Sequence, residues 1–344
     1  MEAVNLMTSP TQYPRALASA RCLTPVAKWQ NRLKRSRLAI PISSAFLGLT
    51  ILIATTGCDI GQYSGAVSDF GVACGAVVQQ AKNGYTLVNA TVIQKQVLAL
   101  ALQTGPIADP TKDFQPFLSA EDLGVRFKML DALQAYAGAL ADLTGKTNST
   151  VDSETTKLAA SLQQLAANDR LQKSLKETKD ISKVDINGAA SGLDAIGKLL
   201  INRKIASELP AILKSSEPKI EAIVSVLARE IGDVPSSSDP GGLREKLWRT
   251  YDSIIEDQAK VVDADHAGST EKRQDVAQLA DLVSTQQSAD AALAGTQSAL
   301  GKLIATHKAL LQVGTAPATF KVACASLLAE AKDAQDFYSK LPKK

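Results

Sequence analysis

Aromatic residues make up only 4% of this 344-residue chain, and that scarcity is the first constraint on its fold. Sandwiches and barrels of β-strands draw on aromatic and β-branched side chains at period two, whereas Ala and Leu dominate a hydrophobic content of 45% here. No glycine- or proline-rich stretch interrupts residues 59–344 as a linker would, which favours one domain over two. Cysteine is sparse as well, with four residues and none in a paired zinc-binding spacing. The G-x-S-x-G and H-E-x-x-H signatures are absent, and only His266 and His307 are present as imidazoles. These absences argue against an enzyme, a metal site and a resident cofactor.

A basic face for nucleic acid is lacking too. The formal charge of +3 is set by the N-terminal end: residues 1–58 hold seven of the 38 Lys+Arg and one of the 35 Asp+Glu, leaving 31 basic against 34 acidic residues. The remainder is close to −3, without the positive stripe that phosphate backbones require. Charge runs such as Asp169 to Lys183 alternate in sign, as on a solvated helix face.

What is present is organised around residues 32–58. A basic cluster (Arg32, Lys34, Arg35, Arg37) precedes an apolar run from Leu38 to Ala54, which ends in Thr55-Thr56-Gly57-Cys58. Basic, apolar, then small residues before a cysteine is the order of an export signal. The stretch resembles the bacterial lipoprotein signal peptide. Gly57-Cys58 matches the last two lipobox positions, while Thr55 stands where that family usually has Leu. The resemblance implies removal of residues 1–57, palmitate-type lipidation of Cys58, a tether over residues 58–64 and a membrane-anchored protein facing the periplasm. Asp59 resembles the inner-membrane retention signal of enteric bacteria, a rule that does not hold in all Gram-negative groups, so inner and outer membrane stay undecided. The alternative is an uncleaved transmembrane helix from Leu38 to Gly57, which gives the same topology.

Residues 65–342 read as one all-α domain, an elongated antiparallel helical bundle with two long helices over about 62–104 and 270–311. In the first, Val67, Phe70, Cys74, Val77, Ala81, Tyr85, Val88 and Val92 step by threes and fours, and Gly75 and Gly84 mark candidate close helix contacts. In the second, Leu279, Leu282, Gln286, Ala289, Leu293, Thr296, Leu300, Leu303, His307 and Leu310 keep a 3.5-residue spacing, the signature of a left-handed supercoil. Ser119 and Asp122 fit a capping box for a helix ending near Gly145, and a third helix is expected over Ser153–Lys179. Beyond it the pattern allows helices near 189–208 and 217–231 with a break at Pro210, then 241–265 and 317–340.

Cys74 and Cys324 fall on apolar seams of the first and last helices. In an oxidising compartment they form either a disulfide or two buried free thiols. Phe114 and Phe117 lie among Pro106, Pro110 and Pro116, where they close the bundle end or touch a partner or membrane. Gly192, Gly197 and Lys198 have phosphate-loop spacing, but Leu199 replaces the magnesium-binding hydroxyl and no strand precedes them. Asp263, Asp265, His266 and Glu271 surround a turn without the closing residues of a calcium loop. The expected function is therefore a non-catalytic envelope lipoprotein, a scaffold or interaction module that binds another envelope protein. Two alternatives are a periplasmic ligand-sensing bundle, with Gln286, Thr296 and His307 around a cavity, and a membrane-active helical protein.

Overall fold

Apolar residues repeating every three or four positions put a sticky stripe along a helix, and that stripe is stable only against a neighbour. The computed structural model is all-helical, with no strand among the described residues. It describes residues 58–103, 110–144, 153–167, 169–175, 181–202, 208–232, 242–264 and 269–340. The expected export segment 1–57 lies outside them. All belong to one compact unit within Leu52–Lys344.

The helices are α1 (Cys58–Ala101), α2 (Pro110–Asp113), α3 (Ala120–Thr144), α4 (Ser153–Ala167), α5 (Asp169–Leu175), α6 (Lys183–Ile201), α7 (Leu209–Ile231), α8 (Gly242–Ala264), α9 (Ser269–Leu310) and α10 (Pro317–Lys340). The two long ones run for 44 and 42 residues, each on the order of 65 Å at 1.5 Å per residue. Among the described residues the buried face of α1 starts with Tyr63, at the end of the stretch read as a tether. Two boundaries correct the sequence reading. The single helix expected over 153–179 divides into α4 and α5. Pro210 opens α7 where a break was expected, since a proline in the first turn surrenders no helical hydrogen bond; the helix then runs through the exposed Pro218.

The pairs α1–α3, α8–α9 and α9–α10 pack antiparallel. Asn89 donates to the Leu118 carbonyl at 2.9 Å and Cys74 to Leu133 at 3.5 Å, which fixes α1 against α3 in reversed register. Arg244 grips Asp290 through two hydrogen bonds of 2.8 and 2.9 Å, and Gln286 reaches the Trp248 carbonyl at 3.2 Å and Asp252 at 2.6 Å, which ties α8 to α9. Lys302 pairs with Glu330 between α9 and α10. Of the expected Ser119–Asp122 capping box one half forms, the Asp122 amide donating to Ser119 Oγ at 3.0 Å, while the Ser119 hydroxyl donates to the Asp122 carboxylate at 2.6 Å. One continuous core runs through α1, α3, α7, α9 and α10, and every residue of the α1 seam from Val67 to Val92 is buried in it or at its margin.

Candidate functional site

Two polar layers cross this core. In the first, Arg126 of α3 and Glu230 of α7 pair with only 1% and 3% of their side-chain surfaces exposed. Arg126 Nε donates to Glu230 Oε1 at 2.9 Å, its NH1 group reaches the Asp122 carbonyl at 3.1 Å and Ser174 Oγ, and its NH2 group reaches the Ser174 carbonyl at 2.8 Å and Glu230 again. All five guanidinium protons therefore have acceptors. Tyr85 of α1 donates to the other carboxylate oxygen of Glu230 at 2.7 Å. Burial, reinforced by the Glu230 charge, holds the Tyr85 hydroxyl well above its ordinary pKa. Burial alone would lower the pKa of Arg126, but the Glu230 carboxylate outweighs it and the net shift is upward. Four helices thus converge on one ion pair, and none of its members reaches solvent.

In the second layer the Tyr136 hydroxyl and His307 Nε2 lie 2.8 Å apart, with Phe70 edge-on to the imidazole at 5.8 Å between centroids. Burial, with a smaller contribution from Lys308, lowers the His307 pKa to about 4. The ring is neutral near pH 7, and a single hydrogen bond joins its Nε2 to the Tyr136 oxygen. Burial likewise pushes the Tyr136 hydroxyl upward. Gln286 and Thr296, grouped with His307 in the sensing alternative, are spent elsewhere: Gln286 ties α8 to α9, and Thr296 donates to the Ala292 carbonyl at 2.9 Å.

The remaining sequence candidates separate in the same way. Cys74 and Cys324 are free thiols, which corrects the expected disulfide. Cys74 turns toward Leu133 on α3, and Cys324 is buried on α10. Burial raises their pKa values to about 12 and about 11, so neither is a reactive thiolate. The glycines of the near-miss phosphate loop are contact points: a Cβ on Gly192 would lie 2.7 Å from the Lys219 carbonyl, and one on Gly197 would lie 3.1 Å from that of Ala159. Gly84 fits the expected close contact, with Leu293 and Tyr338 against it, whereas Gly75 has nothing nearer than 4.0 Å. Phe117 is exposed with the Lys246 ammonium 5.1 Å above its ring, and Phe114 is half-buried. Cys58 begins α1. Asp265 and His266 lie outside the described residues, among which no group of three metal-ligating side chains gathers. No helix among the described residues is long and apolar enough to cross a membrane.

An opening lies elsewhere, where α1, α8 and α9 continue together. A cavity of about 490 Å³ is bounded by Asn83, Thr86, Leu87, Ala90 and Gln94 on α1, Leu282 and Thr285 on α9, Tyr251 on α8 and Tyr338 at the end of α10. A second of about 470 Å³ shares Gln94, Leu282 and Thr285 and carries on past Leu98 and Ala101. Together they make one trough. Its lining is apolar and amide-bearing, with Asp281 as the one charged side chain among the described residues. The buried Tyr338 hydroxyl has no partner of ordinary geometry although Thr296 lies close. The same end exposes Val97 (50%), Leu102 (42%), Val276 (49%) and Val283 (37%). Sequence reading passed over the trough because its α1 residues Leu87, Ala90 and Gln94 lie off the seam traced from Val67 to Val92, and of its α9 residues only Leu282 belongs to a traced seam. It passed over the Arg126–Glu230 pair because a charged residue inside a helix is ordinarily a surface residue. No family model, curated protein or solved structure matches the chain.

Proposed function

We propose that this chain is a lipid-tethered, non-catalytic helical scaffold of the bacterial cell envelope, anchored through Cys58 and facing the periplasm, whose task is to hold another envelope protein. The anchor rests on the resemblance of residues 32–58 to a lipoprotein signal. The interaction role is carried by one observation: the three-helix end leaves Val97, Leu102, Val276 and Val283 exposed beside an unfilled trough. Apolar surface left open in this way costs solubility unless something covers it. The ionisable groups inside the bundle give no competing reading, since Arg126, Glu230, Tyr136 and His307 are sealed from solvent and satisfied by one another. The sensing alternative loses its motivating residues, because Gln286, Thr296 and His307 are hydrogen-bonded within the bundle.

Labelling cells with a palmitate analogue and weighing the mature N-terminal peptide tests the anchor. The expected result is a lipid-modified Cys58 at the N-terminus, with label abolished by Cys58→Ser. An intact segment 38–57 on the mature protein would support the transmembrane alternative. Affinity capture from crosslinked cells tests the interaction role, and recovery of no protein above background would count against it.

A further inference from the structure

α10 lies in the groove between α1 and α9. Lys302 pairs with Glu330, and Gly295 faces Ala334, so α10 runs antiparallel to α9. Phe70 meets His307 and Gly84 meets Leu293, so α9 runs antiparallel to α1; Tyr338 also lies against Gly84, and α10 is therefore parallel to α1. The helix ends at Lys340, but the groove does not. Stepping by threes and fours from Gly84 reaches Leu87, Gln94, Leu98 and Ala101, and stepping back from Gly295 reaches Thr285 and Gln278; all six line the trough. The trough is therefore the groove that α10 fills along its first part and leaves open along the rest.

We infer that this open length is a docking site for one amphipathic helix of a partner protein, which lies end to end with α10 and completes a four-helix bundle with α1, α8 and α9. This inference rests on the scaffold reading above and names where and how the partner binds. From Leu87 to Ala101 is about 21 Å at 1.5 Å per residue, so about four turns are accommodated. The floor asks for apolar side chains at helical spacing, as α10 itself supplies. The polar margin is more selective. Thr86 and Thr285 give their protons to the Lys82 and Asp281 carbonyls at 2.9 and 2.7 Å, so toward the trough they offer lone pairs only. Asn83, Gln94, Gln258 and Gln278 add amides that both donate and accept, and Asp281 at the far end is the one charge among the described lining residues. The partner helix thus carries a basic residue opposite Asp281, with polar flanks along the amides.

The test places a photo-crosslinking amino acid at Ala90 or Ala101, both exposed on the trough, and at Val72 or Val322, exposed on other faces, in full-length protein in its native cells. The expected result is an adduct from the trough positions alone, mapping by mass spectrometry to one amphipathic helix, bearing a basic residue, of a different protein. Ala90→Trp, which fills the trough from an exposed position, should lower the Ala101 adduct at least tenfold while leaving the thermal unfolding midpoint unchanged. Capture of a second copy of this chain, of its own residues 341–344, or of a segment without helical apolar spacing would overturn the inference. So would an adduct that survives Ala90→Trp. If Val72 or Val322 captures a protein and the trough does not, the docking site is wrong and the scaffold reading stands; if no position captures anything, both fall.

Discussion

The two halves of α9 carry the same heptad seam but lead different lives. From Gln286 to Leu310 every seam residue is buried, and helices α1, α7 and α10 crowd around it. From Ser269 to Thr285, Leu279 and Leu282 are only half-covered and no described seam residue is buried. The apolar pattern is the same, so the difference comes from neighbours. In the first half the Arg126–Glu230–Tyr85 and Tyr136–His307 layers dictate which helix stands beside which, because a slipped register would strand an ion or a hydroxyl in a dry core. In the second half no such layer lies among the described residues, which leave the groove open. Hydrophobic spacing alone makes helices associate; the buried polar groups decide how.

The largest break in that comparison is Glu230→Ala, which leaves Arg126 charged and unpaired in the core and is expected to cost about 3–5 kcal/mol in urea denaturation. Replacing Arg126 and Glu230 together by Met and Leu should cost less than either single change, and Asp281→Ala on the trough should cost about nothing. Next, Leu300→Ala should destabilise by about 2–5 kcal/mol, whereas Leu282→Ala on the same seam should cost about 1 kcal/mol or less.

The third effect depends on pH. The folded-state pKa of His307 lies below its unfolded value, so the unfolded chain binds the proton more readily. Its contribution is complete above pH 6.5 and is lost as pH falls from 6.5 towards about 4. Between pH 7.5 and 5 this amounts to about 2 kcal/mol, read as the difference in denaturation midpoint between the native chain and His307→Gln. An equal response of both proteins to pH would remove His307 from the account. The smallest pair concerns glycine: Gly192→Ala should cost about 1–3 kcal/mol by driving a Cβ onto the Lys219 carbonyl. Gly301→Ala, with open space around it, should gain about 0.5–1 kcal/mol.

Helix positions and buried faces were legible because apolar spacing is a local signal. The spans 270–311 and 317–340 agree with α9 and α10 to within a residue, and the α1 seam is the buried one. Pro210 misled because a proline signals a helix start as readily as a break, and only the surrounding chain decides. The thiol pairing failed for a geometric reason: two seam positions on different helices need not face each other, and Cys74 turns its thiol to the Leu133 carbonyl of α3. The trough was illegible in principle, since it depends on where α10 stops relative to α1 and α9. No stripe of residues within one helix records that.

Hydrogen–deuterium exchange along α9 tests most directly the claim that one helix spans a locked body and an incomplete end. Amides of residues 286–310 should exchange only near the free energy of global unfolding, and those of 270–285 should exchange by local opening, many times faster. Uniform protection from Ser269 to Leu310 in the isolated protein would contradict it.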